Sequence, residues 1–509
     1  MLFSSFTFIF AFLPLSLACY AIASRLGTRY GAFWLVIASL SFYAWWKIIF
    51  LPLLLISIAF NFGVSRLISA SADRPRLQSF LLTAGVACDI LALVYFKYLG
   101  AFFSFLQSQD IVAIRLNDIV LPLGISFFTF TQIGYLVDVK QGIAKTRDLL
   151  SYVLFVTFFP HLIAGPILHN REIMPQFADP ATYRLSGQNL VVGLTIFVIG
   201  LAKKTLLADP FSADVAETFA RSQQTGLIES WYAVAAYSLQ IYFDFSGYSD
   251  MAIGLARMFN VRFPLNFNSP YKAATVIDYW QRFHMTLTRF ITMYIFSPIA
   301  LAVTRRRAAN GRDVSRKAAT TPGGFTTLVL LPTMITMVLA GVWHGAGLQY
   351  LVFGVLHGIY IVVNHAMRIF FPALKSQPRR APVVAWMSNT AKILGVYVAA
   401  LVAFAFFRAS STIAAIHLLG GMLGQRGIGA TLPLATLLHL LALYLIVWVA
   451  PNTQEIMGLY EPALGRPPVN PYIWTLWQPT TRWAIATGLI AAIGIIAMGG
   501  TTEFLYFQF

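Results

Sequence analysis

The sequence predicts an all-α protein, a polytopic bundle of membrane helices. Hydrophobic residues make up 58% of the chain and charged residues only 11%, with a mean hydropathy of +0.71, where soluble domains carry about 25% charged residues. Apolar runs fill nearly all of the 509 residues and leave no polar stretch long enough to fold separately. Thirty-six Lys and Arg stand against 19 Asp and Glu, a net charge of +17, an excess that membrane proteins keep in cytoplasmic loops facing anionic lipid. Residues 1–509 therefore read as a single integral membrane domain. Nucleic acid is not the partner this charge implies.

The N-terminal run MLFSSFTFIFAFLPLSLACYAIASR lacks the basic start of a secretory signal and is expected to remain as a span. Ser16 and the missing preceding positive charges argue against lipidation at Cys19. Cys19 and Cys88, the two cysteines, both lie in apolar runs and read as packing residues. A bilayer core of about 30 Å needs about 20 apolar residues per helix. Hydrophobic segments begin near residues 3, 31, 48, 78, 118, 149, 189, 228, 281, 325, 347, 386, 431 and 481. Pro122 with Gly124, and Pro160, His161, Gly165 with Pro166, interrupt two of them and predict re-entrant or broken helices. About 10 to 13 true crossings are expected. No repeat of 20 to 50 residues is visible.

Two loops are basic: 304–317 holds six Arg or Lys against one Asp, and 368–380 holds four with no acid. Both read as cytoplasmic, so the chain between them leaves, turns near GVWHGAG and returns. His344 is the most conspicuous residue of that turn, and Gly341, Gly345 and Gly347 beside it would let a substrate approach the backbone.

An ionisable residue in hydrocarbon costs about 2.5 to 3.5 kcal/mol on insertion scales, so its presence there is a functional hypothesis. Residues 237–289 place Gln240, Asp244, Asp250, Arg257, Asp278, Arg282, His284 and Arg289 among aromatic and aliphatic neighbours. Helical spacing puts Gln240, Asp244 and Gly247 on one face, and Asp278, Arg282 and nearly Met285 on another. Gln240, Asp244, Asp250 and Asp278 are expected to form a structural polar network in which acids and arginines neutralise each other.

Histidine alone has an ordinary pKa suited to proton transfer near neutrality. Of the eight, His417 and His439 sit in Leu-rich segments and read as satisfied core or interfacial residues. His161 and His169 flank the break FFPHLIAGPILH, where bonding to freed carbonyls would suffice. His284, His344, His357 and His365 remain as candidates for chemistry. No HExxH, paired cysteines or His beside a carboxylate at ligand spacing supports a metal site. A GxSxG elbow is absent, FSGYS at 245–249 having the wrong register. No histidine has an acid five residues on, and there is no room for the soluble sugar-nucleotide domain of a processive synthase. What survives is a buried histidine able to deprotonate a hydroxyl that attacks an activated acyl group.

Five blocks closely resemble bacterial membrane-bound O-acyltransferases: PLGISFFTFTQIGYLVD at 122–138, FFPHLIAGPILHNREIMPQ at 158–176, residues 239–288, GVWHGAGLQYLVFGVLHG at 341–358, and the tail EFLYFQF. That subgroup includes alginate O-acetylation, peptidoglycan O-acetylation and teichoic-acid D-alanylation proteins. The motif-bearing core runs from about 118 to 370. The resemblance implies a bundle enclosing a catalytic tunnel in the bacterial cytoplasmic (inner) membrane. It makes His344 the family's defining histidine, and His284 of FHMTLT the second, one as general base and the other positioning or polarising a thioester. Trp343, Asn268, Tyr279, Trp280, Arg282 and His357, in the same blocks, are expected to bind substrate. The donor would be acetyl-CoA or the thioester of an acyl carrier protein, with no cofactor held tightly. The acceptor would be a cell-envelope polysaccharide, served directly or through a periplasmic or extracellular acyltransferase partner. Relatives commonly read RDYLYIPLGG after the His284 block, whereas TMYIFSPIALAV stands at 292–303, with Thr292 and Met293 replacing Arg and Asp.

The leading expectation is therefore transfer of a short acyl group, foremost acetyl, to an envelope polysaccharide. D-alanyl or other acyl transfer from a phosphopantetheine carrier is the enzymatic alternative. The basic loops fit an acidic carrier, coenzyme A phosphates or topology alone. A transporter or flippase would instead use Asp244, Asp250 and Asp278 as ion sites, and would predict an internal symmetry that the sequence lacks.

Overall fold

The computed structural model describes residues 1–109, 111, 119–144, 148–372, 382–465, 468–470, 472–499 and 505. Most of the expected basic loop at 368–380, and the tail at 503–509 apart from Leu505, lie outside the described residues. The protein is all-α, with no strand among the described residues. Nine helices among them are long and apolar enough to cross a membrane, so the chain is a multi-pass membrane protein. That is fewer than the expected number of about 10 to 13, and two other long helices are not among the nine. Thr28–Ala44 has 17 residues, just short of a full span. Leu227–Met258 has 32 residues, about 48 Å at 1.5 Å per residue, but its Ser, Tyr, Gln and Asp content dilutes its hydropathy.

The chain divides into two compact units woven from separate stretches, Met1–Asp209 with Phe243–Leu265 and Pro451–Gln508, and Pro210–Tyr242 with Asn266–Ala450. In the first, Leu13–Leu26 packs on Thr28–Ala44, and Leu51–Ala70, Pro75–Lys97 and Ile125–Lys140 pack on one another. Cys19 is half-buried, but Cys88 is exposed on its helix, so only the former packs as expected.

Both interruptions foreseen at proline are present. Ile125–Lys140 starts at Gly124, whose φ of 70° suits glycine and whose missing Cβ would meet the Leu162 carbonyl at 2.7 Å. Leu149–Thr157 ends before Pro160. The Phe159 N–H, instead of closing the helical bond to Phe155, donates to Ser39 Oγ at 3.1 Å. The Phe155 carbonyl thus freed is taken by His161 Nε2 at 2.9 Å. His161 serves the break, as the sequence led us to expect.

In the second unit, Leu331–His344 and Leu348–Phe370 form a hairpin turning at 345–347. Its helices approach at two glycines. A Cβ on Gly354 would lie 2.4 Å from the Met337 carbonyl, and one on Gly341 would lie 2.4 Å from that of Tyr350. Pro382–Arg408 packs against Leu348–Phe370.

Candidate active site

His344 is the last residue of Leu331–His344 and is 7% exposed. Its ring lies 4.9 Å from that of Phe407, 5.8 Å from Phe353 and 4.7 Å from Trp343. Phe353, two helical turns on from the hairpin bend, touches His357 at 4.6 Å. His357 in turn stacks on Tyr279 at 6.2 Å and meets Trp280 edge-on at 5.0 Å. Tyr279 stacks on Phe283 at 5.5 Å, next in sequence to His284. One aromatic cluster within the second unit therefore gathers His344, Trp343, His357, Tyr279 and Trp280 and runs up to the residue preceding His284. Apolar rings around these histidines exclude water and strengthen any hydrogen bond made among them.

His284 sits where the chain changes direction. The helix Val276–Trp280 gives way to a turn, and Met285–Ile291 begins after His284. The backbone of His284 is left-handed, φ 46° and ψ 54°, a conformation that costs a residue with a Cβ about 1 to 3 kcal/mol and persists only where its surroundings enforce it. Two backbone bonds do so, from Met285 N to Asn266 O and from Asn268 N to Arg282 O, both 2.9 Å. His284 Nδ1 faces Asn266 Oδ1 at 3.1 Å. Because of this turn Met285 does not continue the face shared by Asp278 and Arg282, and that expected three-residue face is absent.

Several other expectations need correction. Asp278 is not part of a buried network: its pair with Arg282 Nε, at 2.8 Å, joins side chains 34% and 32% exposed. Asp244 and Asp250 are buried, but lysines rather than arginines neutralise them, Lys204 lying 2.7 Å from Asp244 and Lys203 2.7 Å from Asp250. Thr453 Oγ1 and Gln454 Nε2 also donate to Asp250. These lysines stand on the π-helical turn Lys203–Ala208, which continues Gly187–Ala202. A wider turn lets two consecutive residues serve one neighbouring helix. Gln240 donates to Ser212 Oγ at 2.8 Å within the second unit. The glycines near His344 leave no open floor for substrate: Gly341 faces Tyr350 and Gly354 backbone, Gly345 faces the Tyr350 ring and Gly347 the Gln349 side chain.

Asn268 and Arg282 belong to the His284 turn, and the Arg282 guanidinium is held by Asp278. Lys203, Lys204 and Asn266 were not singled out from sequence. LAKKTLL, two cations in an apolar run, carried the signal for the lysines. Thr292 and Met293, the departures from the usual pattern, fall on another π-helical turn, Thr292–Phe296.

Known proteins resemble this chain over most of its length. A model of the membrane-bound O-acyltransferase family matches residues 136–311. A peptidoglycan O-acetyltransferase of Helicobacter pylori is 34% identical over 462 residues, 84% of this chain and 81% of that protein. A protein of Pseudomonas putida described as a "Probable alginate O-acetylase AlgI" is 32% identical over the whole of both chains. A teichoic acid D-alanyltransferase of Bacillus subtilis is 24% identical over 55% of this chain and 66% of its own. Identity of this order over most or all of both chains, together with the family match, establishes that the chain belongs to the membrane-bound O-acyltransferase family and is an acyltransferase.

Proposed function

We propose that the protein transfers a short acyl group, foremost acetyl, from a cytoplasmic thioester to a hydroxyl of a cell-envelope polysaccharide, directly or through a partner acyltransferase, in the bacterial inner membrane. The observation that carries this reading is His344, buried at the end of its helix among Trp343, Phe353 and Phe407. A histidine so placed is suited to take the proton of an acceptor hydroxyl while the oxygen attacks the thioester carbonyl. The C–O bond forms, the C–S bond breaks, and the proton passes from the imidazolium to the leaving thiolate. General base catalysis of this kind contributes about 10² to 10⁴-fold. The rest of the acceleration comes from alignment of the two substrates, in this reading within a tunnel reached by donor and acceptor from opposite faces.

His284 and His357 complete the proposed machinery, with Tyr279, Trp280 and Trp343 as the wall against which substrate rests. Acetyl is favoured over D-alanyl because the relatives named for O-acetylation are 32% and 34% identical, against 24% for the D-alanyl relative. Transport is disfavoured because Asp244, Asp250 and Asp278 each hold a cationic partner. Acetyl-CoA or an acyl carrier protein would deliver the thioester, the exposed arginines of 304–317 offering either one a positive surface.

The test is to measure base-labile acyl esters on envelope polysaccharides from cells lacking the protein, complemented with wild type or His344→Ala at matched membrane levels. Ester should depend on the wild type and vanish with the variant, and the mass of the released acid names the acyl group. Full restoration by His344→Ala would overturn the reading.

A further inference from the structure

Two of the buried histidines in this unit are held in opposite proton tautomers by their neighbours. Asn266 is fully buried, and its side-chain oxygen is held by two donors besides His284: Thr286 Oγ1 at 2.8 Å and Thr286 N at 3.3 Å. The backbone N–H of Thr286 can only donate, so the atom it faces is the amide oxygen, which fixes the orientation of the amide. The ring nitrogen facing that oxygen, His284 Nδ1 at 3.1 Å, must therefore carry a hydrogen. In a neutral ring this leaves Nε2 as the acceptor. At His357 the logic reverses. Trp280 Nε1, which can only donate, points at His357 Nδ1 at 3.2 Å. Nδ1 is then the acceptor, and the hydrogen resides on Nε2.

We infer that Asn266 is a positioning residue, anchored by Thr286, that fixes His284 as the Nδ1–H tautomer and so makes His284 Nε2 a proton acceptor, while Trp280 fixes His357 as a hydrogen-bond donor. This rests on the acyl-transfer reading above. It divides the work between the histidines chemically: His284 Nε2 can accept a hydrogen bond from a hydroxyl and hold it in place, whereas His357 can only donate from Nε2, to a carbonyl or hydroxyl oxygen. The left-handed backbone of His284 belongs to the same device. Its two flanking backbone bonds hold the 266–268 and 282–285 segments together, so that the ring meets Asn266 and no other rotamer is needed.

The inference is tested on the full-length protein in two ways. The first reads tautomers in the wild type, by ¹⁵N shifts of labelled histidine assigned by difference against His284→Gln and His357→Gln. His284 should show a protonated Nδ1 and an unprotonated Nε2, and His357 the reverse. One common tautomer for both would overturn the proposal. The second reads ester-forming kinetics. Asn266→Ala removes the side-chain oxygen but keeps the backbone bond to Met285, and should lower kcat roughly tenfold to a hundredfold, the range seen when a metal-bound histidine loses the partner on its other nitrogen, with KM for the thioester close to wild type. Asn266→Asp keeps an acceptor oxygen facing Nδ1 and should recover most of that loss. Equal rates for wild type and Asn266→Ala, or an aspartate variant as slow as the alanine one, would overturn it. If His344→Ala instead keeps full activity, the acyl-transfer reading fails, and the ¹⁵N tautomers still decide the inference by themselves.

Discussion

Replacing Lys204 by Met strands a buried carboxylate, and the structure sets the size of the effect. Lys204 Nζ lies 2.7 Å from Asp244 Oδ1, with side chains 3% and 2% exposed, and 2.5 Å from Asp209. At 2.7 Å and an effective dielectric of 20 the attraction to Asp244 is about 6 kcal/mol. The cost of removing both charges from water offsets much of it. Deleting only the cation leaves that cost uncompensated, and a single broken buried pair typically destabilises by about 3 to 5 kcal/mol. The N–H of Leu505, 3.2 Å from Asp244 Oδ2, remains as partial compensation, and Asp209 is exposed enough, at 15%, to rehydrate. Lys204→Met should therefore fall in the lower part of that range. Adding Asp244→Leu should return the protein close to wild type, because two apolar side chains replace two charges. The assay is the midpoint of thermal loss of the monodisperse peak of purified protein in detergent, for wild type, both single variants and the double. A wild-type midpoint for Lys204→Met, or a double variant no better than either single, would refute the pairing argument.

Three other outcomes are expected. Asp278→Asn breaks a pair that is one-third exposed, so it should cost under about 1 kcal/mol in the same assay. Gly354→Val forces a side chain against the Met337 carbonyl and Gly341, and should lower the midpoint by the equivalent of about 1 to 3 kcal/mol or more; it displaces the hairpin that carries His344, so ester formation should fall with it. His344→Ala should lower turnover by at least about 10²-fold while eluting as a monodisperse peak at a midpoint near wild type, since its neighbours Phe353 and Phe407 also pack on each other at 4.8 Å.

The fold class and the long apolar helices were legible because the signal for a membrane span, about 20 apolar residues, is local. So were the breaks at Gly124 and Pro160, where residue type alone forbids a continuous ladder. The hairpin around His344 followed from two basic loops flanking two apolar runs. Legibility ended where partners come from distant parts of the chain. Asp244 and Asp250 were visible as costly residues, but their counter-ions are Lys203 and Lys204, on a helix that reads as an ordinary apolar span. Asp278 and Arg282 lie four apart and looked buried by their neighbours in sequence, yet the short helix Val276–Trp280 leaves the pair partly open. The glycines beside His344 read as room for substrate. Glycine also permits the closest approach of two helices, and the hairpin uses them in that way.

The same limit explains why the tautomers of His284 and His357 could not be read from sequence. Residue type gives a ring with two nitrogens; which one holds the hydrogen is decided by whatever faces the other. For His284 that neighbour is Asn266, 18 positions back and indistinct within PLNFNSPY. For His357 it is Trp280, 77 positions away on another element. A motif can therefore mark His284 and His357 together as functional while the fold makes them opposites, one accepting at Nε2 and one donating there. For acyl transfer that difference has a direct consequence. In the acyl-transfer reading His344 carries the proton from the acceptor hydroxyl to the departing sulfur, while His284 Nε2 accepts a hydrogen bond and His357 Nε2–H donates one, so the two rings orient hydroxyl and carbonyl without either exchanging tautomers during turnover.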